Sequence, residues 1–224
     1  MNNPIKTAVI TGISSGIGMA LVKKLLKENY NIIGTTRSGT LPEISHENLE
    51  VVQLDVTDSQ SLKNAVQYIN NQTKKIDLFI NNAGAAPDVF AIEPEADAFK
   101  LTIDTNVTGS VFFTEPLLTK LNEGAKIVFI SSNMGLPRNA DVNGPSYRMS
   151  KAAINMYAAM LAKRLQGKNI SVTPVHPGWV QTKLGGDQAP LTAEIAADNI
   201  YEAINYGMES GRFYDSALGV SEEY

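Results

Sequence analysis

The 224-residue chain contains no cysteine and only two histidines. Without cysteine it cannot form a disulfide scaffold, a thiolate zinc site, an iron–sulfur cluster or a cysteine nucleophile. Two histidines are also too few for a three-histidine zinc centre within one chain. We therefore expect no metal site. If the protein is an enzyme, its chemistry must come from Ser, Thr, Tyr, Lys, Asp or Glu side chains, or from a bound cofactor.

The chain also lacks a strong charge of either sign and long apolar runs. Its formal net charge is −4 and no cluster of Lys and Arg stands out, so we expect no nucleic-acid partner. No window approaches the roughly 20 apolar residues that span a bilayer, and the first residues lack the apolar stretch of a signal peptide. These absences predict a cytoplasmic protein with no membrane partner. The 43% hydrophobic content is ordinary for a globular domain.

Short apolar runs alternate with longer stretches of helical spacing. Strands are predicted at 6–10, 31–36, 49–54, 76–80, 126–130, 170–175 and 212–214. Helices are predicted at 17–26, 57–69, 146–165 and 193–206, with two more between the fourth and fifth strands, divided near Asn106. This alternation predicts a Rossmann-type α/β fold, a doubly wound parallel sheet of about seven strands with helices on both faces. No linker or repeat divides the chain, so we expect a single domain over residues 1–224.

A glycine-rich turn joins the first predicted strand to the first helix. Glycines permit a tight turn and a close approach of phosphate to the backbone, and the helix N-terminus offers free N–H groups to a pyrophosphate. The candidate dinucleotide-binding residues in this turn are Gly12, Ser14, Ser15, Gly16, Ile17 and Gly18. Their spacing is Gly-x3-Gly-x-Gly rather than the usual Gly-x-Gly-x-x-Gly. Glycines that serve only the turn are the alternative.

The same turn also matches the Gly-x-Ser-x-Gly nucleophile elbow of serine hydrolases, with Ser14 in the central position. A hydrolase would need an acid and a later histidine, for which His176 is available. The elbow would follow the very first strand, with almost no sheet built ahead of it. A serine hydrolase is therefore the less favoured alternative.

Arg37 follows the second predicted strand, among hydroxyl side chains and with no acid beside it. In dinucleotide-binding folds an acid at this point binds the 2′-hydroxyl of NAD, whereas an arginine accommodates the 2′-phosphate of NADP. Arg37 therefore favours NADP(H) over NAD(H), and a solvated surface arginine is the alternative. Asp55, after the third strand, could accept a hydrogen bond from the adenine amino group. It could instead cap a turn or helix, in competition with Asp58.

Asn81-Asn82-Ala83-Gly84 leaves the fourth predicted strand. If the first and fourth strands are neighbours, this is the topological switch point at which ligands bind. The asparagine amides could tie the two strands together, while Ala83 and Gly84 let a cofactor pass close to the backbone. A turn without function is the alternative.

The fifth strand ends in Ser131-Ser132, and the long helix that follows opens with Tyr147 and Lys151. Residues four apart share one face of a helix, so we expect the Lys151 ammonium near the Tyr147 hydroxyl. A nearby ammonium lowers the pKa of a tyrosine from its usual value of about 10. Tyr147 would then be a general acid near neutral pH. An amphipathic surface pair is the alternative.

Taken in order, these motifs resemble those of the short-chain dehydrogenase/reductase family along essentially the whole chain. The resemblance rests on Thr11-Gly12-x3-Gly16-Ile17-Gly18, Asp55-Val56, Asn81-Asn82-Ala83-Gly84, Asn106, Ser132, Tyr147-x3-Lys151 and Pro177-Gly178. Two further stretches look like the C-factor-like or Sniffer-like carbonyl reductase branch. They are Tyr147-Arg148-Met149-Ser150-Lys151-Ala152-Ala153-Ile154-Asn155-Met156 and His176-Pro177-Gly178-Trp179-Val180-Gln181-Thr182.

The resemblance implies an NADP(H)-dependent oxidoreductase that transfers a hydride between the nicotinamide and a small-molecule carbonyl or alcohol. It implies that Ser132 holds the carbonyl oxygen and Tyr147 donates the proton. Lys151 would bind the nicotinamide ribose and lower the pKa of Tyr147, and Asn106 would hold a water for proton resupply. The implied cofactor site also includes Val56, Asn82, Ala83, Gly84, Pro177, Gly178, Val180 and Thr182, the last two as anchors of the carboxamide.

Three expectations remain. The long helix is apolar on nearly every side, so we expect it to be buried all round, in part against a second subunit of a homodimer or homotetramer. The substrate loop 183–192 is too short for a helical lid, which predicts an open pocket. The competing class of function is a redox sensor or signalling protein that binds NADP(H) with little turnover.

Overall fold

The computed structural model describes residues 5–72 and 75–224 and has one eight-stranded sheet. The strands are β1 Thr7–Thr11, β2 Asn31–Thr36, β3 Leu49–Gln53, β4 Ile76–Asn81, β5 Leu121–Ile130, β6 Ser171–His176, β7 Phe213–Asp215 and β8 Val220–Glu222. Their spatial order is β3-β2-β1-β4-β5-β6-β7-β8. The first seven are parallel, and β8 returns antiparallel to β7. The sheet thus has one strand more than the sequence predicted.

The helices are α1 Gly16–Lys27, α2 Ser59–Gln72, α3 Ala96–Ile103, α4 Ser110–Thr114, α5 Pro145–Leu165 and α6 Ala193–Tyr206. The two helices predicted between β4 and β5 are α3 and α4. A π-helical turn, Asp104–Gly109, joins them without a break. Within the described ranges, no helix is both long enough and apolar enough to cross a membrane.

Helices cover both faces of the sheet, as the strand–helix alternation predicted. Successive side chains of a strand point to opposite faces. Val9, Phe79 and Phe129 therefore belong to one hydrophobic core with α2, α4 and α5. Ile10 and Ile80, their neighbours along β1 and β4, belong to a second core with α1 and α6. Both cores consist of buried apolar side chains, so helices pack against the strands from both faces of the sheet.

β1 is paired with β2 on one side and with β4 on the other. The chain thus runs from β1 outward to β3 and then returns to the opposite side of β1. This reversal is the topological switch point that the sequence placed after the fourth strand. In open parallel sheets, a crevice for ligands forms outside the carboxyl ends of the strands at such a point.

Helix α5 is two-sided in the single chain, so burial on every side would require the second subunit that the sequence analysis expected. Tyr147 and Lys151 face inward and are buried. Met149, Met156 and Met160 are 56%, 62% and 61% exposed. Their spacing of seven and four residues places them on one stripe of the helix. We call these three residues the methionine stripe; it is an apolar surface that the single chain leaves open.

Candidate active site

The glycine turn after β1 has the geometry of an anion cradle. Gly12 and Gly16 have φ angles of 70° and 56°, a conformation that glycine adopts without strain. The backbone N–H groups of Gly12 and Ile13 both donate to the Thr35 carbonyl at 3.0 Å, which fixes the turn to β2. Ser15, the N-cap residue of α1, makes no capping hydrogen bond with its side chain. The first N–H groups of α1 therefore remain available to an anion.

Asn82 ties the ends of β1 and β4 together, as predicted for this segment. Its Nδ2 donates to the carbonyls of Thr11 and Gly12 at 3.0 and 2.9 Å. The backbone N–H groups of Asn82 and Ala83 both donate to the Thr11 hydroxyl, at 2.9 and 3.0 Å. A Cβ at Gly18 would collide with the Gly12 carbonyl and with the Asn82 amide. Glycine at position 18 thus lets α1 begin directly against this bridge.

Arg37 and Asp55 lie near each other at the outer end of the crevice. The Arg37 side chain is exposed at the end of β2. Asp55 accepts hydrogen bonds from the hydroxyl and the N–H of Thr57, at 2.7 and 2.9 Å, and these bonds lower the pKa of the Asp55 carboxyl, with a smaller effect from Arg37. Asp58 accepts a hydrogen bond from the Ser61 N–H at 2.6 Å, so Asp58 is the residue that caps α2. Asp55 therefore does not cap α2, and its carboxylate instead holds the turn to Thr57.

Val56 and Gly84 border the same crevice from two sides. A Cβ at Gly109 would lie 2.6 Å from both the Cβ and the carbonyl oxygen of Val56, so the π-helical turn packs tightly on the residue after Asp55. The Cβ position of Gly84 is 3.5 Å from the Asn106 Oδ1 and 3.9 Å from the Lys151 Nζ. Gly84 therefore leaves room between two of the candidate catalytic residues.

Asn106 sits in the π-helical turn and joins the loop after β4 to helix α5. Its Oδ1 accepts from the Ala85 N–H at 2.7 Å, and its Nδ2 donates to the Ala85 carbonyl and the Ser150 hydroxyl at 2.8 and 2.9 Å. Ser150 in turn donates to the Tyr147 carbonyl at 2.7 Å. Sequence reasoning missed Ser150. The signal for it was a small polar residue one position before Lys151, within one helical turn of both Tyr147 and Lys151.

The Ser132 hydroxyl lies close enough to the Tyr147 hydroxyl to favour its ionisation. Both residues are buried. Gly135 makes this approach possible, because a Cβ there would lie 2.6 Å from the Lys151 carbonyl carbon and 2.7 Å from the Ala152 nitrogen. The turn after β5 therefore lies directly on the first turns of α5. The structure brings together the three residues on which the predicted proton transfer depends.

The pKa of Tyr147 moves in the direction opposite to the sequence-based expectation. Burial raises the pKa of Tyr147 to about 12, and the interaction with Ser132 lowers this pKa by less than burial raises it. The Lys151 Nζ lies 5.4 Å from the centroid of the Tyr147 ring and donates to the Ile130 carbonyl at 2.8 Å. Burial lowers the pKa of Lys151 itself to about 8. The net shift of the Tyr147 pKa is thus opposite to the expected lowering because burial dominates, and the Tyr147 phenol keeps its proton at neutral pH.

Pro177 and Gly178 follow β6 and turn the chain toward the site. Pro177 is buried, and Gly178 has a φ of 84°. A Cβ at Gly178 would lie 2.5 Å from the Leu191 Cδ1 and 2.9 Å from the Ala217 Cβ. Both the φ angle and the close packing require glycine here.

Val180 and Thr182 lie on the loop that returns over the glycine turn. Val180 is buried and forms an isolated parallel bridge with Leu191. The Thr182 Cγ2 is 3.1 Å from the Cβ position of Gly16, and its hydroxyl accepts from the Gly185 N–H at 3.0 Å. Residues 183–192 form turns and no helix, so the predicted lack of a helical lid is confirmed.

The residues of the hydrolase alternative do not come together. Ser14 is exposed beyond β1, and His176 ends β6. Those two strands are three strand positions apart, a separation of about 14 Å. Burial lowers the pKa of His176. Among residues 5–72 and 75–224, no three His, Asp or Glu side chains form a cluster that could hold a metal ion.

Comparisons with known proteins agree with this geometry. The family model of the short-chain dehydrogenases matches residues 6–190. A serine 3-dehydrogenase of Rhizobium radiobacter is 31% identical over 210 residues, covering 89% of this chain and 81% of that protein. The solved structure of the carbonyl reductase Sniffer of D. melanogaster is 26% identical with a TM-score of 0.89, covering 98% of this chain and 100% of that one. An NADPH-bound carbonyl reductase from chicken fatty liver shares the fold, with a TM-score of 0.89, 24% identity and coverage of 100% and 96%.

Proposed function

The chain belongs to the short-chain dehydrogenase/reductase family of NAD(P)-dependent oxidoreductases, and from that premise we propose that it is an NADP(H)-dependent carbonyl reductase. It would interconvert a small-molecule carbonyl compound and the corresponding alcohol. The observation that carries the proposal is the buried, adjacent pair of Ser132 and Tyr147 side chains beside Lys151, at the switch point of the sheet.

The cofactor would lie in the crevice outside β1 and β4. The free N–H groups at the start of α1 suit a pyrophosphate, and the exposed Arg37 suits a 2′-phosphate. Asp55 and Val56 border the adenine end. Val180 and Thr182, on the loop that reaches Gly16, would anchor the carboxamide, while Asn82, Ala83, Gly84, Pro177 and Gly178 line the path between.

A bound nicotinamide supplies the hydride in the reducing direction. The chain's own residues would orient the substrate and move the proton. Ser132 would donate a hydrogen bond to the carbonyl oxygen, and Tyr147 would transfer its phenolic proton to that oxygen as the hydride reaches the carbon. The Tyr147 phenol is protonated at neutral pH, so it has a proton to donate. The products are the alcohol and a Tyr147 phenolate.

Lys151 would stabilise that phenolate. Its ammonium lies near the Tyr147 ring, and one of its three N–H groups donates a hydrogen bond to the Ile130 carbonyl. The remaining donors suit the ribose hydroxyls of the nicotinamide. Asn106 and Ser150 would position this part of α5, and a water held at Asn106 would return a proton to the site.

A redox sensor is the competing function within the same family. Such a protein needs the cofactor crevice but no proton donor. The Ser132–Tyr147 pair, buried beside Lys151, supports turnover instead.

We also propose that the protein is a homodimer or homotetramer, joined in part through α5. The methionine stripe supports this, together with Phe112 on the neighbouring α4, which is also largely exposed. A concentration of exposed apolar side chains on a folded domain is typical of interfaces.

The test is a screen of NADPH oxidation over aldehydes, ketones, quinones and keto-esters, with Tyr147→Phe as the informative variant. We expect turnover by the wild type and a loss of about 100-fold or more in the variant, as for removal of a general acid. NADPH affinity, measured by fluorescence titration, should change little. Tyr157→Phe is the matched control, because Tyr157 lies on the same helix as Tyr147 but its hydroxyl donates to Glu115, away from Ser132.

Normal turnover by Tyr147→Phe would overturn the mechanism. NADPH binding without turnover of any carbonyl compound in the screen would support the sensor instead.

A further inference from the structure

Four loops surround the proposed site, and we call them the mouth loops. They are 84–95 after β4, 132–144 after β5, 177–192 after β6 and 216–219 between β7 and β8. These four strands are parallel, so the loops lie at one edge of the sheet. The Gly144 N–H donates to the Ala91 carbonyl at 2.9 Å, and Gly178 packs against Ala217, which joins the loops in two pairs.

The mouth loops expose an unusual number of large apolar side chains. These side chains are between 40% and 81% exposed, and every loop contributes at least one: Phe90, Ile92, Val142, Trp179, Leu184 and Leu218. Exposed apolar side chains are ordinary when scattered singly. A concentration of them around one crevice marks a binding surface for an apolar ligand.

The charges of the mouth loops are strongly unequal. The loops carry two cationic residues, Arg138 and Lys183, against five acidic ones: Asp88, Glu93, Glu95, Asp141 and Asp187. Of the five, Asp88 is buried and Asp141 lies 3.8 Å from the Arg148 guanidinium. Such an excess of one sign repels anions of the same sign from the crevice.

Arg138 is already neutralised by the C-terminal segment. Its guanidinium bonds the Glu222 carboxylate and the Glu223 carbonyl. Arg148, at the start of α5, is likewise held, by the Asn139 and Asn143 carbonyls at 2.7 Å each. Among the mouth loops, all of which lie within the described residues, Lys183 is therefore the exposed cation that no other side chain engages.

From these two observations we propose that the substrate is a neutral, predominantly apolar carbonyl compound, such as an aromatic or aliphatic aldehyde, ketone or quinone. Carboxylated and phosphorylated carbonyl compounds would be poor substrates. This inference rests on the proposed function. In the reaction, the substrate carbon gains the hydride and its oxygen gains the Tyr147 proton, so a neutral carbonyl compound gives a neutral alcohol.

The experiment compares 4-methylbenzaldehyde with 4-carboxybenzaldehyde, two aldehydes of similar size and similar carbonyl reactivity that differ in charge. We expect kcat/KM with NADPH to be at least tenfold lower for the carboxylated aldehyde. Asp187→Lys should narrow that ratio severalfold, because it reverses one charge of the mouth. Oxidation of L-serine with NADP⁺ is the third arm, and we expect no turnover, because a zwitterion offers no apolar surface.

Phe90→Ser tests whether the exposed apolar side chains contribute to substrate binding. The Phe90 side chain is 81% exposed and therefore not needed for folding. The substitution should raise KM for 4-methylbenzaldehyde severalfold with little change in kcat. Tyr206→Ser is the matched control, because Tyr206 is 90% exposed at the end of α6, outside the mouth loops.

Equal efficiency on the two aldehydes would overturn the inference and leave the proposed function intact. So would efficient oxidation of L-serine. If the activity on the carboxylated aldehyde were equal and lost in Lys183→Met, the crevice would contain an anion site at Lys183. Failure to reduce any carbonyl compound would overturn the proposed function itself.

Discussion

Lys151 gives a prediction that depends on burial alone and can be tested without a substrate. Its ammonium is buried, and burial lowers its pKa from an ordinary 10.5 to about 8. A difference of that size between folded and unfolded chains corresponds to roughly 3 kcal/mol of folding free energy. Lys151→Met keeps the length of the side chain and removes the charge. We therefore expect it to remove a pH-dependent destabilisation of the native protein.

The direction of the effect follows from proton binding. Below pH 8, Lys151 is charged in both states, and the native state bears the whole cost of burying the charge. Between pH 8 and 10.5 the unfolded chain binds more protons at this residue, so the stability of the wild type rises with pH. Above that range Lys151 is neutral in both states and the cost is gone. The stability difference between Lys151→Met and the wild type should therefore shrink by roughly 3 kcal/mol from pH 7 to 10.5.

The assay is urea unfolding of both proteins without cofactor, followed by circular dichroism at several pH values. Both should carry Tyr147→Phe, so that ionisation of the neighbouring phenol does not enter the difference. The other tyrosines titrate in both proteins and cancel. The lost hydrogen bond to the Ile130 carbonyl adds an offset that does not vary with pH. A stability difference that is constant over this range would refute the reasoning.

Two further predictions concern the cofactor and the assembly. Arg37→Asp should weaken NADPH binding about tenfold or more and leave NADH binding nearly unchanged, since a charge-assisted bond to the 2′-phosphate is lost. Fluorescence titration with both cofactors measures the two affinities. Lys27→Asp, at the opposite end of α1, is the control. An unchanged preference would show that Arg37 does not contact the phosphate. Met156→Glu should convert the assembly to monomers, and Met156→Leu should leave it intact; light scattering measures the molar mass of each. A wild type that is already monomeric would contradict the proposed assembly.

Local chain chemistry was enough to predict most of the fold and much of the site. β2 and α6 have the bounds that the hydrophobic pattern predicts, because strand and helix periodicities are properties of adjacent residues. The role of Asn82 as a bridge also followed from the sequence, since amides at the end of a strand next to β1 have backbone carbonyls within reach. Strand β8 was missed because its three residues form a strand only by pairing with β7.

Other features arise only where distant segments meet. Ser150 and Asn106 are 44 residues apart, and their hydrogen bond depends on the π-helical turn lying against α5. The sequence predicted Tyr147 and Lys151 as a functional pair because their spacing is local. It predicted the wrong direction for the Tyr147 pKa, because that direction is set by how deeply α5 is buried beneath the turn after β5. Desolvation is a property of everything packed around a group, so only the tertiary structure decides it.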